Sequence, residues 1–82
     1  MKEKTVAIEF YAILRERAGK DSESLKTTAN TARDLYNDLR HRYDFSLSDR
    51  SVKVAINDSF QNLDSPISEG DKIVFIPPVA GG

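Results

Sequence analysis

Ile73-Val74-Phe75-Ile76-Pro77-Pro78 is the stretch on which the fold turns. Four consecutive apolar residues without alternation predict a strand covered on both faces, the pattern of a central strand. Two prolines then end it, because proline has no N–H to give to a ladder. At the other end of the chain, residues 5–11 alternate: Val6, Ile8 and Phe10 share one face, and Ala7, Glu9 and Tyr11 the other. That is a half-buried strand. The first and last strands are the most apolar, so they are expected side by side at the centre. They would run parallel, with the intervening chain as the crossover.

The intervening chain supplies the rest. Residues 12–18 (AILRERA) are rich in helix formers and stop at Gly19, a left-handed cap. Residues 23–27 are short and polar with Leu25 as the only large apolar side chain, which suits an antiparallel partner of the first strand. In residues 31–43, Ala32, Leu35, Tyr36, Leu39 and Tyr43 recur at helical spacing, with Thr31 and Asp34 placed as in a capping box. Phe45 and Leu47 read as an irregular link. Residues 52–57 alternate again, with Val52, Val54 and Ile56 inward and Lys53 and Ala55 outward. Asn57-Asp58, Ser65-Pro66 and Glu69-Gly70-Asp71 are turn signals, and residues 60–63 suit a short edge strand. The expected architecture is α+β: a mixed sheet of four to five strands covered by one main helix, a β-grasp. The expected division is a domain over residues 1–76 and an extended tail over residues 77–82.

Composition narrows the function. The chain has 82 residues, 12 basic and 13 acidic, for a net charge of −1. The signs are interspersed, which argues against nucleic acid as a partner. There is no cysteine, hence no disulfide framework and no thiolate metal site. His41 is the only histidine and sits between Arg40 and Arg42, where cations complement a helix C-terminus. The carboxylates are scattered, and the four glycines form no phosphate-binding pattern. No bound metal or cofactor is expected. No apolar run reaches the length of a signal segment or membrane span, so the expected location is cytoplasmic, with no membrane partner.

Chemistry is left to the tail, Pro77-Pro78-Val79-Ala80-Gly81-Gly82. The prolines stiffen its root in an extended form. Side chains shrink toward the tip, and a tip without Cβ atoms can thread a narrow channel. Six extended residues reach at most roughly 20 Å. Val79, Ala80 and Gly81 are read as the inserting segment and the Gly82 carboxylate as the reacting group. Tyr11, Val74 and Ile76 are expected outward beside the tail, as an apolar contact surface with Pro77 and Pro78. Phe60 either joins that surface or completes the core.

These residues resemble the small subunits of molybdopterin synthase, a family of ubiquitin-like sulfur carriers. The resemblance runs through Phe10-Tyr11-Ala12 with Leu14-Arg15-Glu16, Ala55-Ile56-Asn57, Leu63-Asp64-Ser65-Pro66-Ile67 with Glu69-Gly70-Asp71, and Phe75 through the Pro-Pro-Val-Ala-Gly-Gly end. The resemblance implies that a partner enzyme adenylates Gly82 with ATP and that sulfur then replaces the activated oxygen as a thiocarboxylate. The tail would enter a large synthase subunit, which holds the acid–base groups and builds the dithiolene of the molybdenum cofactor. A heterotetramer is implied, with this chain the non-catalytic sulfur donor. Tyr11, Phe60 and Ile76 match family positions that meet the large subunit. An aromatic often precedes the prolines in the family; here it is Ile76. A protein modifier joined to lysines, and a carrier for thiamine synthesis, are the alternative readings of the same tail.

Overall fold

The computed structural model of the chain describes residues 2–78. Strand β1 (Lys4–Phe10) pairs antiparallel with β2 (Ser22–Thr27), Val6 opposite Leu25. On its other side β1 pairs in parallel with β5 (Lys72–Ile76), Ile8 opposite Ile73 and Phe10 opposite Phe75. The expected central parallel pair is therefore present. Strand β3 (Lys53–Ile56) lies antiparallel to β5, and the three-residue β4 (Ser59–Gln61) closes the far edge. The sheet order is β2-β1-β5-β3-β4.

Between β3 and β4 the turn residues Asn57 and Asp58 both have positive φ, 53° and 72°. Two left-handed residues between antiparallel strands match the twist of a tight hairpin, and Asn and Asp tolerate that backbone better than most residues. The same turn is tied to β5 by Asn57 Oδ1, which accepts from the Lys72 N–H at 3.0 Å.

One sheet face carries Val6, Ile8, Phe10, Val54, Ile73 and Phe75, each at most 1% exposed. Helix α2 (Ala32–Tyr43) covers it with Ala32, Leu35, Tyr36 and Leu39. Its start is set as the sequence suggests: Thr31 Oγ1 accepts from the Asp34 N–H at 3.1 Å. It ends at Asp44, left-handed with φ 58°. The next residue is a surprise. Phe45, expected in an irregular link, is buried and joins an aromatic cluster, 6.0 Å from Tyr36 and 6.2 Å from Phe10 between ring centres. The hydroxyl of Tyr36 donates to the Leu47 carbonyl at 2.8 Å, so the link is held from both sides. The short helix α1 (Ala12–Ala18) buries Leu14 and stops at Gly19 with φ 75°.

A turn of 3-10 helix at Asp49–Ser51 is clipped to α2. Asp49 accepts from Asn37 Nδ2 at 3.2 Å and lies 3.3 Å from Arg33. Those contacts, the Asn37 hydrogen bond first, hold its carboxyl below the usual aspartate range. A depressed carboxylate stabilises the fold fully above its unfolded pKa, and the gain disappears as pH falls through the folded value. Acid titration of stability should therefore be shallower for Asp49→Asn than for the parent over roughly pH 5 to 2. Denaturant midpoints measured across that window check this, and parallel curves would contradict it.

Candidate docking face and tail root

Side chains alternate along a strand, so the face opposite α2 follows from the register. Across it run Glu9, Val74, Ala55 and Phe60, each the register partner of the next. One step toward the C-terminal end of β5, Ile76 pairs with Lys53. Helix α2 covers the opposite face. Phe60 is 71% exposed, which resolves its two readings: it points outward from the edge strand. Tyr11 is 47% exposed, on the outward side as the alternation predicts.

Two expectations need correction. Val74 is only 7% exposed. It lies in the central strand between Glu9 and Ala55, and neighbours on both sides leave little of it to a partner. Pro77 is buried as well, so it anchors the tail root, while Pro78 is exposed. Ile73, Val74 and Phe75 are all buried, as the unbroken apolar run predicts, although α2 covers only one face; Ile76 is half-buried at the strand's end. Val79, Ala80, Gly81 and Gly82 lie outside the described residues.

The root borders an apolar groove of about 640 Å³ between α1 and the end of β5. Its walls are Tyr11 and Ile13 on one side and Ile76, Pro77 and Pro78 on the other, with Glu16 the only charged lining residue among the described residues. Ile13 was not singled out by sequence. It is 43% exposed because Leu14 next to it takes the inward position on α1. Nothing in a seven-residue helix with two adjacent apolar residues says which faces in. Ala12 turns the chain from β1 into α1 with φ 52°, a left-handed conformation that strains an L-residue. Tyr11 then caps the helix through its carbonyl, which accepts from the Leu14 N–H at 3.1 Å.

Toward the other end of this face, Lys72 spans two elements. Its Nζ lies 3.1 Å from Asp58 and 3.6 Å from Glu9. The hydrogen bond to Asp58, then the attraction of Asp58 and Glu9, keep the lysine protonated above its usual range. The groups are exposed, so this pins the hairpin without adding much stability. His41 is exposed on α2. Among the described residues no group of three or more His, Asp or Glu side chains could hold a metal ion, and no helix is long and apolar enough to cross a membrane. The arrangement offers an apolar groove and a buried root at Pro77.

Comparison with known proteins places this geometry. The family model described as the ThiS family matches residues 8–82. The molybdopterin synthase sulfur carrier subunit of Haemophilus influenzae is 36% identical over 76 residues, covering 89% of this chain and 94% of the relative. A chain of the protein–protein complex of subunits 1 and 2 of molybdopterin-converting factor from Helicobacter pylori superposes with TM-score 0.61 at 28% identity, over 95% of this chain and 99% of that one. The small archaeal modifier protein 1 of Methanosarcina acetivorans superposes with TM-score 0.77 at 24% identity over all of both chains, a likeness of fold.

Ala12→Gly should relieve the strain at the groove. Left-handed backbone costs an L-residue roughly 1–2 kcal/mol, and the added freedom of glycine in the unfolded chain takes back about 0.5–1 kcal/mol. A net gain of about 0.5–1 kcal/mol is expected, read as a higher denaturant midpoint at unchanged slope. A loss of stability would show that Ala12 is not strained.

Proposed function

The chain belongs to the ThiS family, and from that premise we propose that it is the sulfur carrier subunit of a molybdopterin synthase, working from Gly82. The observation that carries the reading is the tail root. Ile76, Pro77 and Pro78 leave the central strand beside an exposed apolar groove, with Phe60 exposed on the same open face. A segment that must enter another protein needs a fixed starting point and a surface that docks around it; the buried Pro77 and the apolar groove beside it support that reading.

The chemistry follows from the carboxylate. It is ionised at neutral pH and resists nucleophiles. A partner adenylating enzyme binds ATP, a Gly82 carboxylate oxygen attacks the α-phosphorus, and pyrophosphate leaves. Hydrosulfide-level sulfur then attacks the acyl carbon, the acyl–phosphate bond breaks and AMP leaves, and loss of the S–H proton leaves Gly82 as a thiocarboxylate. Residues 77–82 serve as the inserting tail, with Val79, Ala80 and Gly81 in the channel, on a domain formed by residues 1–76. The large subunit receives the tail and supplies the acid–base groups that move sulfur to the pterin, in a heterotetramer. Tyr11, Ile13 and Ile76 line the contact on one side of the root and Phe60 extends it on the other. The site of action is cytoplasmic.

Deleting Gly82 should abolish restoration of molybdoenzyme activity in cells lacking the carrier, while the domain still folds. Phe60→Ala should leave stability within about 0.5 kcal/mol, because the ring is exposed. The same change should weaken binding to the large subunit by about tenfold or more, as expected of an aromatic anchor. Full activity without Gly82 would overturn the reading. A thiamine requirement after deletion would redirect the carrier to thiazole synthesis, and isopeptide conjugates would mark a protein modifier.

A further inference from the structure

On the β3 side of the tail root lies a second cleft, of about 580 Å³, between the 3-10 turn and β4. Its charges are unevenly committed. Arg33 is taken by Asp64 at 2.8 Å and Asp49 at 3.3 Å, so its charge is spent within a trio that keeps one net negative charge. Arg50 and Lys53 also line the cleft, and among the described residues neither makes an ion pair or a side-chain hydrogen bond. Both are exposed. Two available cations thus stand together on a chain whose overall charge is −1. Beside them Phe60 offers an exposed ring on a short edge strand that is paired on one side only. Lys53 is also the register partner of Ile76, so the cleft runs up to the tail root.

We infer that this cleft receives an acidic protein segment bearing an apolar side chain, its carboxylates on Arg50 and Lys53 and its apolar residue on Phe60. The inference rests on the reading of this face as a docking surface and adds what the partner must present there. Opposite charge at the rim sets the approach and register of a partner more than the final affinity. Here it would orient the partner so that the tail root faces the mouth of its channel. The other flank is of opposite character: among the described residues, Glu16 is the only charge lining the groove beyond Ile76. A partner docked in reverse would meet Glu16 with its acids and gain nothing at Arg50 and Lys53.

The test is an amide-resolved NMR titration of the full chain with the synthetic peptide Ac-Glu-Leu-Asp-Phe-Glu-amide. Its counterpart with lysines in place of the acids, and inorganic phosphate alone, serve as comparisons. Shifts confined to the amides around Arg50, Lys53 and Phe60 are expected with the acidic peptide, fading as salt rises. Arg50→Glu with Lys53→Glu should weaken that binding by about tenfold, and the milder Arg50→Gln with Lys53→Gln covers the case in which the reversal disturbs folding. The inference is overturned if the acidic peptide gives no shifts there, if the lysine peptide or phosphate gives the same shifts, or if neither double variant changes them. Binding of the large synthase subunit is measured in parallel. Failure of that subunit to bind while the acidic peptide still seats on the cleft would remove the functional reading and leave the acidic partner standing.

Discussion

Parallel pairing of the first strand with the last is the constraint from which the rest follows. Ile8 against Ile73 and Phe10 against Phe75 join residues from opposite ends of the sequence. The pairing forces everything between them to act as a crossover, and α2 is the element that makes the crossover and seals one face. It also decides where the chain leaves the sheet. Because β5 is central, Ile76 emerges flanked by the end of β1 on one side and the start of β3 on the other. A tail on an edge strand would have a free side; this one starts from the middle of the sheet, with Pro77 buried as its footing.

That placement explains how labour is divided in the proposed function. A domain of this size has one core, and a chain of aromatic rings runs through it: Phe10, Phe45, Tyr36 and Phe75 lie 5.2–6.2 Å apart in successive pairs. No buried side-chain nitrogen or oxygen among the described residues lacks a partner, so the interior holds no poised polar group. The chain is built to be held. Its open face combines an apolar ring at one edge, an apolar groove at the other and charges of opposite sign beyond each.

Much of this was legible. The apolar run at residues 73–76 and the alternation from Val6 to Phe10 were enough to place the central pair. Gly19 and Thr31 marked helix ends where the structure has them. What failed did so for physical reasons. Alternation puts Val74 on the outward face, but face and exposure differ in a central strand. A helix of two turns carries too little periodicity to orient Ile13. Phe45 reads as part of a link in the sequence, although an apolar residue just after a left-handed helix stop commonly packs back on the last turn. Its N–H bonds the Arg40 carbonyl at 3.1 Å in that manner. The cation pair at Arg50 and Lys53 has no sequence signature, since only the turn at Asp49–Ser51 and the start of β3 bring them together.

The central claim is that Gly82 carries sulfur, and intact-mass spectrometry of the chain purified from cells containing its activating enzyme tests it most directly. The account predicts a population heavier by one oxygen-to-sulfur exchange, localised by fragmentation to Gly82. Unmodified protein alone, from cells in which the activating enzyme is shown to be active, would contradict it.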